Sequence, residues 1–300
     1  MKFGSHARQE GIWALFFLSP WLIGFLIFTL GPMAASFFFS FTRFTLPDAP
    51  VFIGLENFAK LFTGDPRFLN SLGITFLYAI VTVPVGLCLG FLLAYFLNMK
   101  IPFSRFWRTL YYMPAVVTPV ITGTLFIGLF NGRFGLVNYL IERLLGIKGP
   151  DWLLDPNYAI YAVMMISLWG VGGGMIIYLS GLQSIPTELN EAADLDGCSK
   201  SRRLWSITIP LMSPVIFYNL VIGIISTFQL FTQVYVLTKG GPGNSTEVYN
   251  IYLYSTAFQY QKMGYASAQA WVLFVLILCM TGLVFRSSSA WVYYENEVRP

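Results

Sequence analysis

The sequence predicts an all-α membrane protein with six transmembrane helices. Its 300 residues are 56% hydrophobic and only 11% charged, whereas a soluble domain carries about 25% charged residues. All Asp, Glu, Lys and Arg lie outside six stretches: 11–42, 68–99, 109–132, 156–187, 204–238 and 263–285. Each exceeds the roughly 20 residues that a helix needs to cross about 30 Å of hydrocarbon. A charge at the bilayer centre costs about 2.5–3.5 kcal/mol on insertion scales, so its absence marks a span.

The spans are expected near 13–40, 71–97, 108–130, 158–181, 214–237 and 265–286, in a single membrane domain covering residues 1–300. The first is too long for the apolar core of a cleavable signal, about 7–15 residues. Pro84 interrupts the second, and Pro114 and Pro119 the third, so kinks are expected there. Gly86 and Gly90 in the second, and Gly170 and Gly174 in the fourth, have the small-x3-small spacing of close helix contacts. Gly170, Gly172, Gly173 and Gly174 also thin the fourth span at mid-membrane. Such weakening is tolerated where backbone lines a cavity. The uncharged run 247–261, apart from Glu247, is short and holds Asn250, Ser255 and Gln259. It reads as an extramembrane or interfacial segment.

Three long loops join the spans on one side, near 41–70, 131–157 and 238–264. In the first, Leu55, Phe58, Ala59 and Phe62 fall at helical spacing, predicting a short amphipathic helix. The second carries the Gly- and Asn-rich NGRFGLVN, 131–138. In the third, TKGGPGNST at 238–246 predicts a tight non-helical turn.

Six spans put both termini on one face. The short 98–108 loop carries Lys100, Arg105 and Arg108 without an acid, and favours the cytoplasm. Lys200, Arg202, Arg203, Lys2, Arg8, Arg286 and Arg299 join them there, ten basic residues against eight on the other face. The net charge of +4 then reflects membrane topology and a lipid bilayer as surroundings; nucleic acid is not indicated. Cys88, Cys198 and Cys279 have no metal-type spacing, and His6 is the single histidine, so no metal site is expected. There is no G-x4-G-K-[ST] phosphate loop and no His or Asp within the spans, so neither ATP hydrolysis nor other catalysis is expected of this chain.

The loop at 182–213 is the most specific feature. Pro186 suits a helix's first turn, Glu188 and Glu191 suit its positive end, and Gly197 suits its stop. Ala192 and Ala193 leave a thin face, Asp194 and Asp196 offer carboxylates to basic groups on a partner, and Ser199 is placed to cap a second helix. The spacing Glu191-Ala192-Ala193, three residues, Gly197, nine residues, Ile207, one residue, Ile209-Pro210 resembles the EAA loop of binding-protein-dependent ABC importer permeases. That consensus is E-A-A-x3-G-x9-I-x-L-P, and Ile209 is the departure. GLENF at 54–58, YYMPAVV at 111–117, TKGGPGNST and GYASAQA at 264–270 resemble the same family in its carbohydrate-uptake branch, the maltose and sn-glycerol-3-phosphate type.

The resemblance implies a type I ABC importer permease fold in a bacterial inner membrane. It implies a homologous second permease, two ATPase subunits that use ATP and magnesium, a solute-binding protein outside, and a sugar as substrate. The coupling residues would be Glu191, Ala192, Ala193, Asp194, Asp196, Gly197 and Pro210. The family's sugar-contacting stretches fall onto Ala115 and Pro119, onto Trp169, Gly170 and Gly173, and onto Gly223, Thr227 and Leu230. From the residues themselves, the fifth span holds the densest uncharged polar set, Asn219, Ser226, Thr227, Gln229, Thr232 and Gln233. Phe228, Phe231, Tyr235 and Trp169 offer stacking faces. On one continuous helix Ser226, Gln229 and Gln233 share a face. Such residues serve either a sugar path or helix–helix hydrogen bonds. A stand-alone ion-coupled transporter is the other class of reading. It calls for a carboxylate or histidine at mid-membrane, which these spans lack.

Overall fold

The computed structural model describes residues 5–99 and 101–293. Lys2, Lys100 and Arg299 of the topology argument lie outside the described residues, as do the side chains of His6 and Arg8. The order is α1 (Ile12–Ser40, the apolar part of a helix beginning at Ser5), β1 (Thr42–Arg43), β2 (Val51–Phe52), α2 (Glu56–Thr63), α3 (Pro66–Asn98), α4 (Ser104–Val116), α5 (Pro119–Leu129), α6 (Leu136–Leu145), α7 (Ala159–Trp169), α8 (Gly172–Gln183), α9 (Thr187–Leu195), α10 (Lys200–Phe228), α11 (Thr232–Leu237), α12 (Tyr249–Tyr254) and α13 (Met263–Trp291). The fold is helical as predicted, and the antiparallel pair β1–β2 adds one short ladder within the first long loop.

Four helices, α1, α3, α10 and α13, are long and apolar enough to cross a membrane alone. The count reaches six when each of two bent pairs, α4–α5 and α7–α8, is one span. The third predicted span, 108–130, is therefore not a kinked rod but two helices meeting at 96°. Thr118 is extended, at φ −62° and ψ 145°, because the ring of Pro119 disfavours a helical residue before it. The fourth bends by 42° at Gly170 and Val171, within the glycine run. Pro84, by contrast, sits inside an unbroken 33-residue helix. The π turns Leu26–Leu30 and Leu204–Thr208 each end just short of a proline, Pro32 and Pro210. A proline ring crowds the carbonyl four residues back, and the wider turn relieves that crowding without breaking the helix.

The chain divides into two units, Met1–Asp65 with Leu253–Val272, and Pro66–Tyr252 with Leu273–Pro300. In the first, Asn57 Nδ2 donates to the carbonyls of Ser40 and Thr42, both at 2.9 Å, tying α2 to the end of α1. The buried face of α2 is Asn57 and Leu61, while Leu55 and Phe62 are exposed. The predicted amphipathic helix is present, but its apolar stripe is turned outward because Asn57 takes the inner position. Phe37 and Trp271 meet edge to face at 4.9 Å.

The second unit has two apolar centres. One gathers Tyr78, Val163, Ile166, Val234 and Ile251; the other gathers Ala94, Met175, Tyr178, Leu182 and Met212. Gly90 packs under the Tyr178 ring, which gives the Gly86–Gly90 pattern a structural role. The second loop folds around Asn138, which donates to the carbonyls of Gly132 and Pro150 and accepts from Trp152 Nε1. The third is the tight turn predicted, with positive φ at Lys239, Gly240, Gly243 and Asn244. Just after it, Glu247, 2% exposed, receives a fork from Arg67, Nε to Oε2 at 2.7 Å and Nη2 to Oε1 at 2.5 Å. The guanidinium lies 4.9 Å from the Tyr252 ring centroid.

Removing one partner of such a pair strands a buried charge. Arg67→Ala is expected to lower stability by about 3–5 kcal/mol, read as a fall in the thermal midpoint of the purified protein. Arg67→Met combined with Glu247→Leu should recover most of the loss. An unchanged midpoint for Arg67→Ala alone would show that the pair contributes nothing. A Cβ at Gly172 would press into the Tyr111 carbonyl, whereas one at Gly170 meets only ordinary contact. Gly172→Ala is therefore expected to cost about 1–3 kcal/mol by overpacking and Gly170→Ala much less. Equal midpoints for the two variants would refute the close approach of α4 to α8.

Candidate functional site

Two places in the second unit concentrate functional features: the loop around α9 and a cavity among α3, α7, α8 and α10. The α9 helix starts at Thr187 with Pro186 as its cap residue, where a missing N–H costs nothing. It stops where Gly197 turns to φ +67°. Gly197 N donates to the Asp194 carbonyl at 3.1 Å, and Cys198 N to the Ala193 carbonyl at 2.9 Å. This is a Schellman ending, which needs the left-handed residue that glycine supplies. Ser199 Oγ then accepts from Arg202 N at 3.3 Å and caps the first turn of α10.

The Asp194 carboxylate pairs with Arg203 of the same chain, linking α9 to α10, and remains 67% exposed. Ala193 is buried, while Glu188, Glu191, Ala192 and Asp196 are exposed. Leu195 is 90% exposed and Trp205 69% exposed, a pair of apolar side chains that the motif did not single out. The signal was available for Leu195, a large apolar residue between Asp194 and Asp196. Pro210 follows the Leu204–Thr208 π turn and starts the regular part of α10.

The cavity holds about 440 Å³, within the range of about 300–1,000 Å³ usual for ligand sites. It brings together Gly170, Gly173, Gly223, Ser226 and Thr227 of the predicted path with Asn219 of the fifth span's polar set, and adds Ser167. Asn219 Nδ2 is spent on the Val215 carbonyl at 2.9 Å. A Cβ at Gly174 would stand 3.4 Å from Asn219 Oδ1, so the bare glycine leaves room beside that oxygen. Tyr78 OH donates to Ser167 Oγ on the wall. The lining offers neutral donors and acceptors beside apolar surface, and no Asp, Glu, Lys or Arg among the described residues.

The remaining path residues lie elsewhere. Pro119 starts α5 and is exposed. Ala115 is also outside the cavity lining, and stands 3.5 Å from where a Cβ on Gly173 would be. Trp169 meets Phe126 edge to face at 5.4 Å, and Leu230 packs on the core around Tyr78. The shared face expected of Ser226, Gln229 and Gln233 does not exist. The helix ends at Phe228, Gln229 is its cap residue, and Phe231 at φ −141° and ψ −65° starts a separate helix. Asn250 Nδ2 takes the freed Phe228 carbonyl at 3.1 Å. Gln233 stands on α11, with Oε1 3.0 Å from Ser167 Oγ and Nε2 donating to the Val163 carbonyl at 3.2 Å. Of the two readings open for Gln233, the helix–helix hydrogen bond is the one formed.

Residues 83–290 match the family described as the binding-protein-dependent transport system inner membrane component. The chain is 39% identical over 300 residues to the probable ABC transporter permease protein YesP of Bacillus subtilis, covering 99% of this chain and 97% of that one. It is 35% identical over 278 residues to the sulfoquinovosyl glycerol transport system permease protein SmoG of Agrobacterium fabrum, covering 91% and 89%. A chain in the crystal structure of a bacterial ABC transporter involved in import of the acidic polysaccharide alginate has the same fold. The TM-score is 0.82 at 24% identity, over 94% of this chain and 96% of that one. The match to the family over most of the chain, together with these relatives along nearly its whole length, places the protein among the inner membrane components of binding-protein-dependent transport systems.

Proposed function

We propose that this chain is the permease subunit of an ATP-driven importer that carries a sugar or related neutral polyol across a bacterial inner membrane. The observation that carries the substrate class is the uncharged lining of the cavity beside Asn219, Ser226 and Thr227. Hydroxyl groups are matched by neutral amides and hydroxyls, each bond worth roughly 0.5–1.5 kcal/mol net. A phosphate calls for cationic partners, so sn-glycerol-3-phosphate, the other substrate of this branch, fits this lining poorly. The multiple sugar-binding transport system permease protein MsmF of Streptococcus mutans, a relative named for sugar transport, supports the sugar class.

In this reading a second, homologous permease completes the path, two ATPase subunits dock at α9, and a solute-binding protein delivers the sugar from outside. Both termini and α9 face the cytoplasm. The chain itself is not catalytic; ATP and magnesium belong to the ATPases. Closure of the ATPases displaces α9. The Asp194–Arg203 pair and the Ser199 cap join α9 to α10, and α10 runs from there to Thr227 at the cavity, about 40 Å at 1.5 Å per residue. A push on α9 therefore reaches the substrate-lining residues through one helix.

Glu191→Lys is expected to leave the protein in the membrane while abolishing uptake or releasing the ATPases, since Glu191 is exposed. Normal uptake with an intact complex would refute the docking role, and saturable nucleotide binding by this chain alone would refute the division of labour. For the path, Asn219→Ala is expected to weaken uptake several-fold and to change the preference among sugars at unchanged membrane abundance. Gln233→Ala is expected to lower abundance without changing preference. Uptake of several sugars and abundance, measured together, separate the two; the reverse pattern would reject the cavity as the path.

A further inference from the structure

A second, smaller pocket in the first unit has no part in this reading. It holds about 200 Å³ and is lined by Arg43, Glu56, Asn57, Lys60, Lys262 and Tyr265, among others. Its place in the chain sets its depth in the bilayer. Arg43 stands three residues beyond the end of α1, and Lys262 immediately precedes α13. Both helices are apolar to those ends, so the pocket lies where hydrocarbon gives way to headgroups. The pocket is held in shape by the chain itself. Leu46 N donates to the Gln261 carbonyl at 3.1 Å and Gly264 N to the Phe44 carbonyl at 3.0 Å. Asn57 is buried with both its bonds made, and a Cβ on Gly264 would press into the Thr42 carbonyl.

The charges in the pocket do not cancel. Arg43 is taken by Glu56, Nη2 to Oε1 at 3.1 Å and to Oε2 at 3.2 Å. Lys60 Nζ lies 5.2 Å from the Tyr265 ring centroid, and Tyr265 OH donates to Asp65. Neither Lys60 nor Lys262 forms an ion pair among the described residues. In the lining three cations face one carboxylate, and with the Asp65 carboxylate held on Tyr265 one positive charge remains in excess. Close in sequence to the pocket residues is exposed apolar surface. Val51 and Phe52 of β2 are 61% and 69% exposed, and Phe38 near the end of α1 is 53% exposed. Aromatic pairs Phe39–Phe44 at 4.9 Å and Phe41–Phe58 at 5.5 Å stand at the same level, the residue type enriched at membrane interfaces. A ligand that suits both parts is amphipathic and anionic, with a compact headgroup.

We propose that this pocket binds the phosphate of an anionic phospholipid, with Lys60 and Lys262 as its charge partners and its acyl chains along Phe38, Val51 and Phe52. The depth, the uncompensated charge and the neighbouring apolar surface each point to this ligand, and a freely dissolved anion would use only the second.

The test uses the full transporter complex, purified and delipidated in a neutral detergent, and titrated with phosphatidylglycerol or phosphatidylcholine while retained lipid is counted by native mass spectrometry. Wild type is expected to retain phosphatidylglycerol selectively. A cation near a headgroup contributes about a five-fold preference, so Lys60→Gln with Lys262→Gln should weaken that retention by about twenty-five-fold. Lys60→Arg with Lys262→Arg should retain it, and Lys148→Gln with Lys239→Gln, elsewhere on the loops, should leave it unchanged. Equal retention by the double Gln variant would overturn the proposal, as would an equal loss in the Lys148 and Lys239 control. Displacement of the lipid by inorganic phosphate at matched concentration would assign the pocket to a free anion and overturn the lipid. Intact lipid retention with weakened attachment of an acidic protein would assign the lysines to that protein and overturn it equally.

Discussion

An unpaired backbone amide or carbonyl in hydrocarbon costs several kcal/mol, because no water is there to replace the lost hydrogen bond. The structure is arranged around that cost. It explains why the apolar segments are helices throughout, and also where helices are allowed to stop. Within the predicted spans the interruptions fall at Val117–Thr118, at Gly170–Val171 and at Gln229–Phe231. Each has a way to satisfy its freed groups. Asn250 reaches the Phe228 carbonyl at the third, the second opens onto the cavity, and at the first Pro119 has no N–H to leave unpaired. The breaks let helix ends and bare glycines meet in one place, and the cavity is made from that meeting.

The same constraint makes α10 a continuous connection. A helix with all its backbone bonds made is stiff along its axis, and α10 connects the charged segment around α9 to the cavity wall without a break. Its π turn accommodates Pro210 with a local widening. The joint between α9 and α10 relies more on backbone geometry than on charge. Asp194 is 67% exposed, and an exposed ion pair contributes roughly 0–1 kcal/mol. The Schellman bonds around Gly197 and the burial of Ala193 hold the turn more firmly, with the ion pair setting its angle.

Charge is placed with equal economy. The cavity wall has none among the described residues. The buried Glu247 is matched by two hydrogen bonds from Arg67 and by the Tyr252 ring beside the guanidinium. That match is what lets a carboxylate sit at 2% exposure beside apolar helices. It also pins the Gly-rich turn at 238–246 to the start of α3, so a loop with little regular structure keeps one conformation.

The helical membrane class and the α9 stop were legible in the residues alone, because each depends on short-range chemistry. Hydrophobic length decides a span, and a glycine after the motif decides a left-handed turn. Sequence reading also located the weak point of the fourth span, since four glycines in five residues have one physical consequence. Which side chains share a space depended on how the chain packs. Gln229 and Gln233 looked like a face of one helix until the chain broke between them. The fold brought Arg203 beside Asp194, and α2 turned Asn57 inward because two carbonyls at the end of α1 needed a donor. These outcomes depend on partners distant in the chain or on backbone breaks, and a periodic pattern carries no record of either.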